Sequence, residues 1–410
     1  MAVTEPRVTA TIEAAYRIES PRVIAAAARI VRDVGIAEEI AQDALVAALE
    51  QWPESGVPDK PGAWLTATAR RRAIDLVRRK ETYARKLAEV GRSLEDTTPP
   101  PDPPDPENID DDLLRLIFTA CHPVLPTASR TALTLRLLGG LTTAEIARAL
   151  LAAEPAVAQR IVRAKRTLAT AGVGFEVPYG EDRAARLSSV LEVIYLIFNE
   201  GYTATAGDDV VRPALCEDAL RLARVLAALM PGEPEVHGLS ALLEFQASRI
   251  PARTGPDGAP VLLADQNRTR WNRPLMRRGA DALARAGGGP YALQAAIAAC
   301  HARAARYEDT DWAMIATLYG RLLTLTGSPV VALNRAVAVS MAEGPAAGLA
   351  LVDALRDEPA LKDYHLLPSV RGDLLARLGR DAEASEEFRR AASLTHNERE
   401  RELLLERSAR

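Results

Sequence analysis

Aromatic residues make up only 4% of this 410-residue chain, and cysteine occurs three times. Few aromatics and abundant alanine disfavour sheets and favour closely packed helices. Cys121, Cys216 and Cys300 lie far apart. They give neither a disulfide framework nor zinc spacing, and they suit a reduced, cytoplasmic setting. No basic start followed by an apolar stretch marks a signal peptide. The longest apolar run, near Val190–Phe198, is far short of a membrane span and carries Glu192, so no membrane contact is expected. Paired acids, a nucleophile elbow and a phosphate-cradling glycine loop after a strand are also lacking, which counts against an enzyme. Gly287–Gly289 reads as a flexible joint. Asp309-Thr310-Asp311 with His301 does not complete a metal ligand set. Cys121 in Cys121-His122-Pro123 reads as a buried thiol at an apolar helix end rather than a nucleophile. No catalytic residue, metal or cofactor is therefore expected.

What is present is unevenly distributed. The formal net charge of −4 conceals a segment, residues 93–112, with eight acids and no base. Residues 113–170 carry +6, and residues 1–92 carry +2. Two basic modules are thus joined by an acidic tether. Thr97–Pro106 has six prolines in its last eight positions and should be extended and semi-rigid.

Residues Ala37–Trp52 repeat apolar side chains at helical spacing, with Ile40, Ala44, Ala48 and Trp52 on one stripe. Pro53 should end that helix, and Pro61 should open the next. On Trp64–Arg79, the residues Leu65, Ala67, Ala69, Ala73, Ile74, Leu76 and Val77 cover one side. Trp64, Thr68, Arg71, Arg72, Asp75, Arg78 and Arg79 gather on the other. Such a face suits DNA, because arginines hold phosphates while Trp and Thr contact or stack on bases. Arg70 lies near the apolar side and reads as a structural arginine paired with a carboxylate. A helical set runs from Asp111 to Leu138, and Gly139–Gly140 breaks it. Two short helices follow. Thr142–Leu150 starts at a hydroxyl cap. In Ala156–Leu168, the residues Val157, Ile161, Ala164 and Leu168 oppose Gln159, Arg160, Arg163, Arg166 and Thr167. A helix pair whose second member is basic outside has the geometry of a major-groove reader.

In order, EEIAQDALVAALEQW, PGAWLTATARRRAIDLVRR and LTTAEIARAL…VAQRIVRAKR resemble bacterial RNA polymerase sigma factors of the extracytoplasmic-function group. The resemblance covers residues 8–172. It implies that the first helix docks on core RNA polymerase through Gln42, Asp43, Val46 and Glu50. It implies further that Trp64–Arg79 recognises and melts the −10 promoter element, and that the helix-turn-helix reads the −35 element. The tether would thread the RNA exit path. The chain departs from the family at Arg71, where asparagine is usual, and in the turn Leu151-Ala152-Ala153-Glu154-Pro155. Both departures bear on base preference.

Beyond Gly180 the chain reads as Ala/Leu-rich helices. Gly372, Leu375, Gly379, Ala384, Phe388 and Ala391 fit the small–large spacing of a tetratricopeptide repeat, and Ala336–Leu355 fits it more loosely. NEGYTAT, YALQAAIAACHA and SPVVALNRAVAV extend the resemblance to the sigma subgroup with such an extension. The expectation is an all-α chain of four parts: a sigma-2-like domain (8–92), an acidic linker (93–111), a sigma-4-like helix-turn-helix domain (112–172) and a helical, tetratricopeptide-like extension (178–410). Its partners would be core RNA polymerase, promoter DNA and a regulatory protein contacting the extension. The rival reading is a helix-turn-helix regulator with a repeat-type effector domain, which would need only one reader.

Overall fold

The computed structural model describes residues 5–90, 109–150, 152–202, 213–255, 261–395 and 398–409. No β-strand occurs among them, so the fold is all-α. The chain forms two compact units, Met1–Leu196 and Ile197–Arg410.

The first unit contains α1 (Glu5–Val31), α2 (Val34–Ser55), α3 (Pro61–Val90), α4 (Ile109–Ala120), α5 (Thr127–Leu137), α6 (Thr143–Ala149), α7 (Glu154–Thr170) and the start of α8 (Gly180–Tyr202). Helices α1, α2 and α3 pack on one another, and α1 also packs on α4. Their contact surfaces are lined by alanine: Ala25, Ala27, Ala37, Ala41, Ala44, Ala69 and Ala73 are fully buried. Alanine brings helix backbones close and costs little side-chain entropy. Asp33 caps α2 by accepting hydrogen bonds from the amides of Gly35 (2.7 Å) and Ile36 (3.0 Å).

Several expectations need correction. Pro53 does not end α2; it sits in the last turn, and Gly56 (φ +83°) terminates the helix, its amide donating to the Trp52 carbonyl. A proline so near the end forfeits one helical hydrogen bond, and buried Trp52 anchors the turn. Pro61 does open α3, but that helix continues beyond Arg79 to Val90. The helical set expected from Asp111 to Leu138 is present as α4 and α5, separated between Cys121 and Pro126. Most of the acidic tether lies outside the described residues. Asp110 and Asp111, however, are already helical in α4, and Asp112 is 1% exposed. These aspartates thus belong to a packed helix rather than to a free strap.

The second unit holds the end of α8 and then α9 (Pro213–Leu229), α10 (Pro234–Ser248), α11 (Arg273–Leu283), α12 (Pro290–Arg303), α13 (Trp312–Thr326), α14 (Pro329–Ala342), α15 (Pro345–Asp353), α16 (Leu366–Arg377), α17 (Asp381–Leu394) and α18 (Glu398–Ser408). Proline opens α9, α10, α12, α14 and α15, where its missing amide proton has no helical partner to lose. From α12 onward each helix packs on its successor. Small residues set the spacing. A Cβ on Gly372 would meet the Phe388 ring at 2.9 Å, and one on Gly348 would meet Ser340 Cβ at 2.3 Å. Leu375, Ala384, Phe388 and Ala391 are all buried around these approaches. Gly379 (φ +72°) follows α16 in a left-handed conformation that favours glycine.

All three thiols are buried. Burial pushes Cys121 up to about 11 and Cys216 up to about 12.

The approach at Gly348 gives a stability test. Gly348→Ala gains helix propensity but forces α14 and α15 apart, and should destabilise the second unit by about 1–3 kcal/mol. Urea unfolding followed by circular dichroism measures this, and an unchanged or raised midpoint would contradict the close packing.

Candidate nucleic-acid interface

Helix α6 begins at a reciprocal cap. The Thr142 hydroxyl accepts from the Glu145 amide (3.2 Å), and Glu145 Oε2 accepts from the Thr142 amide (2.7 Å). Helix α7 follows, with Pro155 in its first turn. Val157, Ile161, Ala164 and Leu168 are its buried stripe, as the sequence pattern requires. Gln159, Arg163, Arg166 and Thr167 are exposed, and Arg160 is half-buried. Arg163 Nη2 donates to Gln159 Oε1 at 3.4 Å, and Thr167 Oγ1 donates back to the Arg163 carbonyl at 2.9 Å. These side chains form a polar strip along one flank of α7.

On α3, Leu65, Ala69 and Ala73 are buried, whereas Ile74, Leu76 and Val77 are half-buried and Ala67 is exposed. The apolar side is therefore narrower than the sequence suggests. Arg71, Arg78 and Arg79 are exposed; Trp64, Thr68 and Arg72 are half-buried. Trp64 packs edge-on against Trp52 with ring centroids 5.2 Å apart. An open groove of about 530 Å³ is lined by Asp75, Arg78, Arg79, Thr82 and Tyr83. Tyr83 is an exposed aromatic one turn beyond Arg79 that sequence reasoning passed over. Among the described residues Arg70 finds no carboxylate partner, and its Nε and Nη2 are buried without a hydrogen bond.

The edge of α2 presents Asp43, Val46 and Glu50 to solvent, with Gln42 half-buried. Asp43 pairs with Arg72 at 3.2 Å. The structure thus brings one residue of the expected polymerase edge against one of the expected DNA face.

Family comparison decides what these elements are. Residues 15–82 match sigma-70 region 2, and residues 115–168 match sigma-70 region 4. The chain belongs to the sigma-70 family. It is an RNA polymerase sigma factor, a protein that binds core polymerase and promoter DNA in transcription initiation. Residues 186–287 match a family of unknown function, DUF6596. An uncharacterised protein of Rhizobium meliloti (strain 1021) is 46% identical over 396 residues, which cover 95% of this chain and 93% of the relative. No solved structure matches the chain. No helix among the described residues is long and apolar enough to cross a membrane.

In this sigma factor, regions 2 and 4 meet through buried acids. Glu38 of α2 is 4% exposed. Its Oε1 accepts from Arg136 Nε of α5 at 2.6 Å, and its Oε2 lies 2.5 Å from Lys165 Nζ of α7. Gln42 Nε2 also donates to Glu38 Oε1, at 3.1 Å. Arg136 reaches further, to the Leu141 carbonyl at 3.1 Å. A second contact joins Asp112 of α4 to Arg29 of α1 (3.6 Å), with Arg115 at 2.8 Å. Burial pushes the Asp112 carboxyl up, and Arg29 and Arg115 pull it partly back. A cleft of about 460 Å³ beside Glu38 is lined in part by Tyr16, Ser20, Arg136 and Glu145. Burial, reinforced by Glu38, pushes the Tyr16 phenol up to about 12. Sequence reading missed this joint. Its one local signal was a carboxylate at Glu38, among the buried alanines of α2.

Glu38→Ala removes three hydrogen-bonded or ionic contacts and leaves two cations that can turn to water. It should cost about 1.5–3 kcal/mol, the range for hydrogen bonds to charged groups. Urea titration of the full chain reads this. Loss below 0.5 kcal/mol, on the order of an exposed ion pair, would mean that the joint contributes little.

Proposed function

We propose that this chain is a sigma factor of the extracytoplasmic-function type, which directs core RNA polymerase to a specific set of promoters and is regulated through its own C-terminal extension. The observation that carries the reading is the presence of two separate basic helices, α3 and α7, in the two sigma regions. A regulator working alone needs only one reader, and that disfavours the rival reading. In this proposal Gln42, Asp43, Val46 and Glu50 dock on core polymerase. Trp64, Thr68, Arg71, Arg72, Arg78 and Arg79 engage the −10 element. Gln159, Arg160, Arg163, Arg166 and Thr167 engage the −35 element. The protein works in the cytoplasm and has no catalytic activity of its own. Its working domains are residues 8–92, 93–111, 112–172 and 178–410, and a regulatory protein contacts the last of them. The Asp43–Arg72 pair supports coupling of the first two surfaces, since an occupant of one changes the charge presented by the other.

Run-off transcription with core polymerase and genomic promoter fragments tests the reading. The full chain should yield discrete starts that core polymerase alone does not give. A chain ending at Leu196 should keep the starts and change their yield if the extension regulates. The cut is placed there because Arg130 of α5 bonds Ser189 and pairs with Glu192 at 3.1 Å within the first unit. Identical yields from both chains would defeat the regulatory part, and absence of starts would defeat the whole.

The two arginine sets should behave differently. Arg163→Ala should cost roughly 1–3 kcal/mol at one base position of the upstream element and relax preference there. Arg78→Ala or Arg79→Ala should weaken binding evenly across sequences and flatten its salt dependence. Promoter-fragment titrations at several salt concentrations separate these outcomes, and uniform behaviour of all three would refute the division.

A further inference from the structure

The segment SRIPAR (Ser248–Arg253) closes α10, and NRTRW (Asn267–Trp271) returns beside it. The Asn272 amide donates to the Ser248 carbonyl at 2.8 Å and holds the return in place. Three arginines converge on two aromatic rings. Arg249 Cζ lies 5.4 Å from the Trp271 ring centroid, and Arg268 Cζ lies 4.7 Å from the same ring. Arg253 Cζ stands 3.8 Å over the ring of Tyr202. Trp271 is 3% exposed and Tyr202 is 8% exposed.

Elsewhere in this unit, buried or half-buried charges are paired, with the exposed Arg224 and Arg278 answering the buried Glu244 and the inward-facing Arg371 answering two acids. Glu244 takes Arg224 (2.7 Å) and Arg278 (3.5 Å), and Arg371 takes Asp353 and Glu387, each at 2.7 Å. Among the described residues, Arg249, Arg253 and Arg268 have none within ion-pair distance. Arg249 reaches only the Gln246 amide oxygen, at 3.4 Å. Arg268 donates to the carbonyls of His301 and, at 3.0 Å, Ala304. The Nε atoms of all three arginines are buried without an acceptor, as are the Tyr202 hydroxyl and the Trp271 indole nitrogen. Burial lowers the proton affinity of Arg249 and Arg268; at Arg249 the neighbouring Tyr202 raises it again, while Arg253 and Arg268 lower it. Glu308 and Asp309 favour the charge on Arg268, but Asp309 is itself held by Arg306 at 3.1 Å.

Among the described residues, the cluster is thus rich in donors and positive charge, and poor in acceptors. Guanidinium forks match phosphate and carboxylate oxygens in pairs. Buried flat rings beside them suit a compact molecule rather than a polymer backbone. We infer that Arg249, Arg253 and Arg268, with Tyr202 and Trp271, form a binding site for a small anionic molecule presenting a phosphate or carboxylate group. The site lies largely within the stretch that matches the family of unknown function. It stands independently of the transcription reading, because binding is measured without polymerase.

Thermal unfolding of the full chain, titrated separately with inorganic phosphate and with citrate at constant ionic strength, tests the site. A saturable rise in the unfolding midpoint with at least one probe is expected, and the stronger probe assigns the preferred oxyanion. Arg253→Gln and Arg268→Gln should each weaken that probe at least tenfold. Arg253→Lys, which keeps the charge but loses the fork, should fall between them and wild type. Arg270→Gln, altering an exposed neighbour, should leave the response intact. A wild-type midpoint that moves no more than in a chloride control overturns the proposal, as does an equal response in the Gln variants. A readout in the unmutated chain guards against variants that misfold. Burial, with Arg249 and Arg268, holds His301 at about 4. An anion on those arginines should raise the midpoint of the His301 ring titration by nuclear magnetic resonance, and an unchanged midpoint at a saturating probe also overturns the proposal.

Discussion

The contact of α2 with region 4 turns on one carboxylate. Glu38 sits on α2 of region 2, yet its partners Arg136 and Lys165 belong to region 4. A buried acid is tolerable only when paired and hydrogen-bonded, and Glu38 accepts from Arg136 and Gln42 on Oε1 while Oε2 pairs with Lys165. Asp112 repeats the device in the other direction, an acid of α4 answered by Arg29 of α1. Choosing charge for this seam has a physical consequence. An apolar seam of the same extent would expose a sticky surface on parting. Here Arg136 and Lys165 are partly in solvent already, so parting returns charges to water rather than grease.

What could be read from the sequence was what is local or periodic. The stripe Val157, Ile161, Ala164 and Leu168 repeats within one helix, and the Thr142–Glu145 cap spans three residues. Gly372 against Phe388 was legible because repeat spacing encodes helix-pair contact. What escaped was set by distance. Glu38 and Arg136 are 98 residues apart, and no period links them. Arg70 reads as paired with a carboxylate from its place near the apolar side, and among the described residues its Nε and Nη2 find no hydrogen-bond partner. The aspartates around Asp112 look like a tether's charge in composition alone, and the helix claimed them because Arg115 sits at the right helical spacing. Pro53 misled for the opposite reason: a local rule about prolines is weak within a last turn held by a buried tryptophan.

Arginine does different work in the two units. On α3 and α7 it is mostly exposed and extends into solvent, where its charge acts over a Debye length of about 8–10 Å. At the foot of α10 it is packed over rings, where the same group acts at contact range and with geometric selectivity. The near-neutral total of −4 hides both uses. Charge in this chain is informative only when resolved by location and burial.

The Glu38 seam also fixes a thermodynamic relation. Suppose a partner engages α2 only when α7 has left it. That partner then works against the seam's free energy, and a ligand of α7 that requires the same parting works against it too. Once either has bound, the other no longer meets that opposition. The two affinities must rise by the same factor, whichever arrives first. Under that condition, two surfaces more than a hundred residues apart in sequence would be cooperative through the side chain of a single glutamate, without any change in the shape of either helix.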